Sequence, residues 1–245
     1  IKSTVPVGTN KKVFDILNEG KTDLIEVISN PEFLREGSAI EDFMKPDRVI
    51  IGYRDKKAKK VVREIYKPLY LRAFPILFTN PESAELIKYA SNAFLATKIA
   101  FINQVAALSE KVNADVKEVA KGMGLDNRIG NKFLHAGPGY GGSCFPKDTA
   151  AFVKIGKVNG AYQSIVEAVI SANEKTKARM VDKIKSFMKN ELNSKRVCIL
   201  GVTFKPNTDD IREAPSLTII PSLQELGASI KIYDPQGKKE GIRQF

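Results

Sequence analysis

Cysteine and histidine are both scarce in this 245-residue sequence, which holds two cysteines and one histidine. Two cysteines cannot build a disulfide framework, so Cys144 and Cys198 have to be judged one at a time. The lone His135 has no second ligand candidate nearby, and no metal site is expected. Long hydrophobic runs are absent as well. No stretch approaches the roughly 18 to 20 apolar residues a membrane span needs, and the opening Ile1-Lys2-Ser3-Thr4-Val5-Pro6 lacks the shape of a signal peptide. A soluble, cytoplasmic protein is therefore expected. The chain also lacks an initial methionine: Ile1 reads as the end of an apolar strand entering a turn, so a truncated front is expected there.

What is present is enough to fold. A hydrophobic content of 43% supports one large or two modest domains. The net charge of +11 admits either a nucleic-acid binder or an enzyme of phosphate-bearing substrates. The densest basic stretch, Arg54-Asp55-Lys56-Lys57-Ala58-Lys59-Lys60, has no interleaved aromatics for base stacking and leads into a short helical pattern at Val61 and Val62. It reads as a solvated helix face. The remaining cations are scattered, which suits phosphate ligands and argues against nucleic acid.

Periodicity gives the organisation. Asp23-Leu24-Ile25-Glu26-Val27-Ile28 and Arg48-Val49-Ile50-Ile51-Gly52 read as β-branched strands, with Pro75-Ile76-Leu77-Phe78-Thr79 a weaker third. Asn80-Pro81-Glu82 then supplies a capping residue, a proline at the first helical position and an acid in the first turn. From there to about Asn113 neither proline nor glycine recurs, which predicts a helix of roughly 32 residues and about 48 Å. Apolar residues lie on most of its faces, so it needs partners on several sides and is a plausible subunit interface. A second helical pattern runs from about Tyr162 to Leu192. Beyond it, Arg196 to Val202 reads as a buried strand, Ser216 to Leu226 as a helix that Pro221 should kink, and Ser229 to Asp234 as a second strand. That order is the opening βαβ unit of a nucleotide-binding type of sheet. Three domains are expected: 1–79 in an α/β sheet, 80–192 helical, and 193–245 α/β again. In this reading Cys198 is inert core inside its strand.

The stretch richest in chemistry is Gly137-Pro138-Gly139-Tyr140-Gly141-Gly142-Ser143-Cys144-Phe145-Pro146-Lys147-Asp148. Gly137, Gly139 and Gly142 satisfy G-x-G-x-x-G mechanically. No convincing strand precedes them, however, and Tyr162 stands where an acid should follow, so the dinucleotide reading is rejected. The better reading is a glycine loop that approaches a ligand closely and presents Cys144 at a helix start, with Pro146 just inside. A helix N-terminus and the adjacent Lys147 both favour a thiolate there. Asp148 lies one turn further on, an acid–base partner for the nucleophile. Lys88 and Asn92 stand four apart on the long helix, a cation and an amide donor suited to an oxyanion.

The motif from Gly139 to Asp148 resembles the signature of the UDP-glucose and GDP-mannose dehydrogenase family, and the resemblance extends over nearly the whole chain. It implies an α/β fold with two Rossmann-like domains, both incomplete here, joined by a long-helix central domain. It also implies a four-electron oxidation of a nucleotide sugar through a thiohemiacetal and thioester on Cys144, with NAD as cofactor and two NADH formed per sugar. Ser3-Thr4-Val5 resembles the turn near the nicotinamide, with Thr4 positioning a water. In Asn30-Pro31-Glu32-Phe33-Leu34-Arg35-Glu36-Gly37, Glu32 matches a base for thioester hydrolysis, Phe33 and Leu34 line the sugar site, and Glu36 lies near the cofactor. By resemblance, Lys88 and Asn92 stabilise the oxyanion. Arg128 reaches substrate, in some members from a neighbouring subunit, while His135, Gly139, Tyr140 and Gly141 line the sugar-nucleotide site. Lys147 lies by the cofactor. In Gly201 to Glu213, Phe204 and Lys205 contact the UDP-sugar and Arg212 contacts NAD. A homodimer or higher oligomer through the long helix is implied too.

One departure is the lack of any acceptable G-x-G-x-x-G on a first βα turn, so most of the NAD site is expected to lie outside this sequence, and the chain alone to be weakly active or inactive. The wording of Phe145-Pro146-Lys147-Asp148 and Gly201-Val202-Thr203-Phe204-Lys205-Pro206 favours UDP-glucose over GDP-mannose as substrate. Hydroxyacid dehydrogenases with a helical second domain, which need no cysteine, are a further alternative. From a different class, the charge and long helices would also suit a non-catalytic oligomerising or nucleic-acid-binding module.

Overall fold

The described strands are short, and a helix lies between each and the next, a connection long enough for the crossover that parallel pairing needs. The computed structural model describes residues 1–22, 25–69 and 74–245, and divides into two compact units, Ile1–Ser91 and Asn92–Phe245. In the first unit the order is α1 (Thr9–Asn18), α2 (Ala39–Met44), β1 (Val49–Gly52), α3 (Lys56–Tyr66), a 3-10 turn (Lys67–Leu69) and β2 (Ile76–Thr79). Strands β1 and β2 pair in parallel, Val49 opposite Ile76 and Gly52 opposite Thr79. Helix α3 starts on Asp55, whose carboxylate accepts the Lys57 N–H, and buries Ala58, Val62 and Tyr66 at helical spacing. Its lysines 56, 57 and 60 and Arg63 are solvated. Val49, Ile51, Val62 and Tyr66 form the core, with Ile28, Phe74 and Phe78 against it.

The strand expected over 23–28 is not seen. Asp23 and Leu24 lie outside the described residues, and 25–28 form no strand. Side chains take their backbone groups instead. Asn18 bonds both the N–H and the C=O of Ile25, and Asn10 donates to Val27 O.

Helix α4 (Pro81–Val112) is a single helix of 32 residues that contributes to both units. It begins as its sequence dictates: Asn80 Oδ1 accepts the Ser83 N–H at 2.7 Å. Its first turn lies so close to β1 that a Cβ on Gly52 would stand 2.6 Å from Pro81 Cα. Only glycine fits there.

In the second unit, α5 (Val116–Gly124), α6 (Phe145–Val158) and α7 (Ser164–Phe187) follow. Three alanines of α4 are buried in the core: Ala96 and Ala100 pack with Tyr140 and Val169, and Ala93 with Val153 and Val166. Helix α7 stops before the expected Leu192 because Lys189 and Asn190 adopt left-handed backbone, turning Leu192 into the core with Val181, Leu223 and Ala228. Then come β3 (Arg196–Leu200), α8 (Ser216–Glu225), β4 (Ser229–Tyr233) and α9 (Lys238–Gln244), with β3 and β4 parallel. Pro221 lies within α8 without ending it.

The expectation for Cys198 is corrected. Alternation along β3 sends Val197 and Ile199 into the core and Arg196, Cys198 and Leu200 to the opposite face, which is exposed. A strand buried on one face only cannot hide all five residues. Among the described residues, no helix is long and apolar enough to cross a membrane.

Candidate active site

The expected site residues fall in both units. In the first, the turn from Ser3 to Gly8 feeds α1, whose N-cap is Gly8 at φ +91°. Glycine carries no side chain to cap a helix, and the orphan N–H groups are met from elsewhere. Glu85 of α4 accepts Gly8 N–H at 2.7 Å and Asn10 N–H at 2.8 Å. Beside this junction lies a small pocket lined by Ile1, Ser3, Thr4, Val5, Ser29, Pro31, Glu85 and Lys88. Ser3, Thr4, Val5 and Lys88, singled out separately in the sequence, thus meet at one place.

Lys88 is 3% exposed. Its Nζ lies 3.4 Å from Glu32 Oε1 and 5.2 Å from the centre of the Phe33 ring. Glu32 Oε2 accepts the Leu34 N–H at 2.6 Å, folding the loop on itself. The other face of the loop is met by Arg48, whose guanidinium is 4.0 Å from the Phe33 ring centre. Glu32 and Glu36, four residues apart, lie on no common helix. Pro31 to Glu36 is not helical, and the segment turns at Gly37, φ +79°.

In the second unit Cys144 is the N-cap of α6, with Pro146 in the first turn, as its sequence predicts. The residue is exposed, and its Sγ lies 3.7 Å from Ser143 Oγ. Asp148 N–H donates to Cys144 O at 2.8 Å, closing the first turn. The Asp148 side chain is 1% exposed. Asn92 Nδ2 donates to its Oδ2 at 2.6 Å. Its Oδ1 is buried and forms an ion pair with Lys147 Nζ at 2.8 Å, without the alignment of a hydrogen bond. Lys147, expected beside the thiol, therefore serves Asp148 while remaining 60% exposed. A buried carboxylate with one oxygen lacking a hydrogen-bond donor is costly to hold.

The glycine loop is fixed from two sides. Asn173 of α7 clasps the Tyr140 backbone, accepting its N–H at 2.8 Å and donating to its C=O at 3.0 Å. The Tyr140 ring is buried and meets Phe145 edge-on at 5.9 Å, and burial pushes its phenol above the usual range. It anchors the loop to the helices; it does not present a hydroxyl to solvent. On the other side, Gly142 N–H donates to Arg212 O at 2.7 Å. A Cβ on Gly141 would stand 2.3 Å from Glu213 O, and one on Gly142 would stand 2.7 Å from the Phe204 ring. Phe204 and Lys205, with Lys205 Nζ 5.4 Å from the Phe204 ring centre, are thereby brought to the loop that presents Cys144. Arg212 forms a fork with Asp210, Nε to Oδ1 at 2.9 Å and Nη2 to Oδ2 at 2.7 Å. Arg128 is different. It pairs with Asp126 at 2.6 Å and its side chain is 90% exposed, and His135 is exposed as well.

Two residues escaped the sequence reading. Glu85 is one, an acid three residues before Lys88. Asp234 is the other, at the end of β4, where an acid closing the second strand of a βαβ unit was the available signal. It accepts N–H groups from Val202, Thr203, Gln236 and Gly237. Burial pushes its carboxyl up, but these backbone donors outweigh it and hold the group below the usual range.

Two parallel β-α-β units define an α/β protein of the nucleotide-binding type, with an exposed cysteine at a helix start and a buried carboxylate–amide pair. Family comparison agrees. Three domain models of the UDP-glucose/GDP-mannose dehydrogenase family match: the NAD binding domain over 1–70, the central domain over 82–175 and the UDP binding domain over 198–245. The chain belongs to the UDP-glucose/GDP-mannose dehydrogenase family. It is 51% identical over 239 residues to the UDP-glucose 6-dehydrogenase of Rhizobium meliloti (strain 1021), covering 96% of this chain and 55% of that protein. Against the UDP-glucose 6-dehydrogenase TuaD of Bacillus subtilis (strain 168) it is 52% identical over 236 residues, covering 96% and 50%. The solved structure of a UDP-glucose dehydrogenase from Pyrobaculum islandicum superposes with a TM-score of 0.92 at 42% identity, covering 99% of this chain and 56% of that one. The chain spans about half the length of the curated relatives it matches.

Proposed function

We propose that the whole protein is a cytoplasmic NAD-dependent dehydrogenase that oxidises UDP-glucose to UDP-glucuronate through a thioester on Cys144. The observation that carries this reading is an exposed thiol at the start of α6 with the buried Asp148–Asn92 pair in the following turn. UDP-glucose is preferred to GDP-mannose because the relatives at about half identity bear that name.

The residues of the first unit fit a nicotinamide. The Ser3–Val5 turn offers backbone groups and two hydroxyls of the kind a carboxamide-bearing ring needs, and Ser3, Thr4, Val5 and Glu36 would hold NAD, with Lys147 and Arg212 contributing. Bound NAD would supply a hydride acceptor, used twice. The chain's own groups do the rest. The C6 alcohol loses a proton to a base, for which Asp148 is placed by burial and by its incomplete hydrogen bonding, as its hydride departs. Cys144 thiolate adds to the resulting aldehyde, forming a C–S bond, and the developing oxyanion is met by the Lys88 ammonium and the Asn92 amide. Loss of the second hydride leaves a thioester. Glu32, held by Lys88 and the Leu34 N–H, deprotonates a water positioned by Thr4, and attack by that water releases the acid and returns the thiol.

Phe33, Leu34, Arg128, His135, Gly139, Tyr140, Gly141, Phe204 and Lys205 complete the proposed substrate contacts, Tyr140 through its backbone, and the domains run 1–79, 80–192 and 193–245. A homodimer or higher oligomer belongs to the proposal, because α4 leaves Phe94, Phe101 and Leu108 exposed at seven-residue spacing.

The test is stoichiometric. The whole protein with UDP-glucose and excess NAD should form two NADH per sugar consumed. One NADH per sugar, or full acid production by a Cys144→Ser variant, would favour a hydroxyacid-type dehydrogenase.

A further inference from the structure

We propose that Glu85 is a positioning residue for hydride transfer, fixing the Ser3–Gly8 turn against the part of α4 that carries Lys88. The inference rests on the reading of that turn as the element facing the nicotinamide. Glu85 is 3% exposed and has no role in the chemistry above. Both of its carboxylate oxygens are occupied, one by Gly8 N–H at 2.7 Å and the other by Asn10 N–H at 2.8 Å. These are the N–H groups of the N-cap residue and of the second residue of α1, which has no side-chain cap of its own, and an anion is favoured at that end of a helix. The bonds cross 77 and 75 residues of sequence, so they join two elements that chain connectivity leaves free.

A second tie runs alongside. Asn10 is fully buried, and its Nδ2 donates to Val27 O and Ser29 Oγ, both at 2.9 Å. Its Oδ1 accepts from the Arg54 guanidinium, which reaches Glu82 of α4 at 3.6 Å, one turn before Glu85. Gly52 admits the first turn of α4 against β1. The turn bearing Thr4 and the helix bearing Lys88 are thus fastened at both Glu82 and Glu85, and Thr4, Glu85 and Lys88 line one pocket. Both carboxylate oxygens of Glu85 are taken by backbone donors of the turn and of α1, so its part is one of position. It acts by keeping the hydride acceptor's seat at a fixed distance from the oxyanion donor.

The experiment compares wild type with Glu85→Gln in the whole protein, with Cys144 thiols titrated so that rates are expressed per competent site. An amide can accept only one of the two N–H groups, so kcat/KM for NAD should fall about tenfold or more, the scale expected when a reacting geometry is loosened. The KM for UDP-glucose and the Cys144 titre should stay unchanged. A lowered unfolding temperature with kcat/KM for NAD within about twofold of wild type would assign Glu85 to the fold alone and overturn the proposal. Should Glu85→Gln fail to fold, Glu85→Asp carries the same comparison with the same two outcomes, and failure of both to fold also overturns it. Wild type that forms no NADH from UDP-glucose sinks the functional reading and this inference together, whereas an active wild type with an unaffected variant sinks only the inference.

Discussion

The pocket of the first unit and the cysteine loop of the second solve opposite problems. Around the pocket, buried charge is matched. Lys88 faces Glu32, and Glu85 meets two backbone donors. Around the loop, one group is left open on purpose: Cys144 is exposed, and one oxygen of the buried Asp148 has only an unaligned cation nearby. Matched groups hold a shape, while under-satisfied ones retain the capacity to take a proton or a new bond. The charged groups around the pocket are thus engaged with partners of their own unit, and the thiol at the loop is not.

The sharpest way to break that contrast is at Cys144. Cys144→Ala in the whole protein should abolish acid formation, a loss of about a thousandfold or more, with unfolding unchanged because an exposed N-cap thiol supports nothing. Retained turnover would overturn the proposed thioester on Cys144. Asp148→Asn should come next, lowering kcat by about a hundredfold or more while leaving the KM for sugar near wild type. Lys88→Met should cost a similar factor and also destabilise, since it strands Glu32; a fall in kcat with no loss of stability would argue that the pair is not structural.

Gly141→Ala tests whether the loop's shape is built by close approach. Its Cβ would meet Glu213 O at 2.3 Å, so a loss of about 2 kcal/mol or more in chemical denaturation is expected. Smaller again is the pH effect of Asp234. Its carboxyl lies below the usual range in the folded state, so the stability it contributes is fully present above the ordinary carboxylate range and is lost as pH falls through that range toward the depressed value. Asp234→Asn should flatten this part of the stability profile between about pH 5 and pH 2, and should cost about 1 to 3 kcal/mol at neutral pH. Arg128→Ala is the control at the low end. Its side chain is exposed, so the unfolding midpoint should not move, and any change in KM for sugar would report a contact with substrate.

Much of the fold was legible. The start of α4 was written in Asn80-Pro81-Glu82, because capping and proline placement are local effects. The parallel βαβ order of 196–233 followed from strand, helix and strand lengths. Two readings failed where neighbours outweighed local pattern. The stretch 25–28 has the composition of a strand, yet Asn10 and Asn18 take its backbone bonds. Cys198 sits among apolar residues, but only one face of β3 is covered.

The candidate site divides along the same line. The glycine loop, the cysteine at a helix start and Asp148 one turn on were fixed by sequence alone, since backbone freedom, helix geometry and thiol chemistry are properties of neighbouring residues. Tertiary structure decided what those residues face. It turned Lys147 onto Asp148 and buried the Tyr140 ring, bound the cysteine loop to Arg212 and Phe204, and brought Glu85 onto a helix start 77 residues away. Such contacts join residues distant in the chain, and no local pattern can specify them, because burial and hydrogen-bond satisfaction are settled only once the elements have packed.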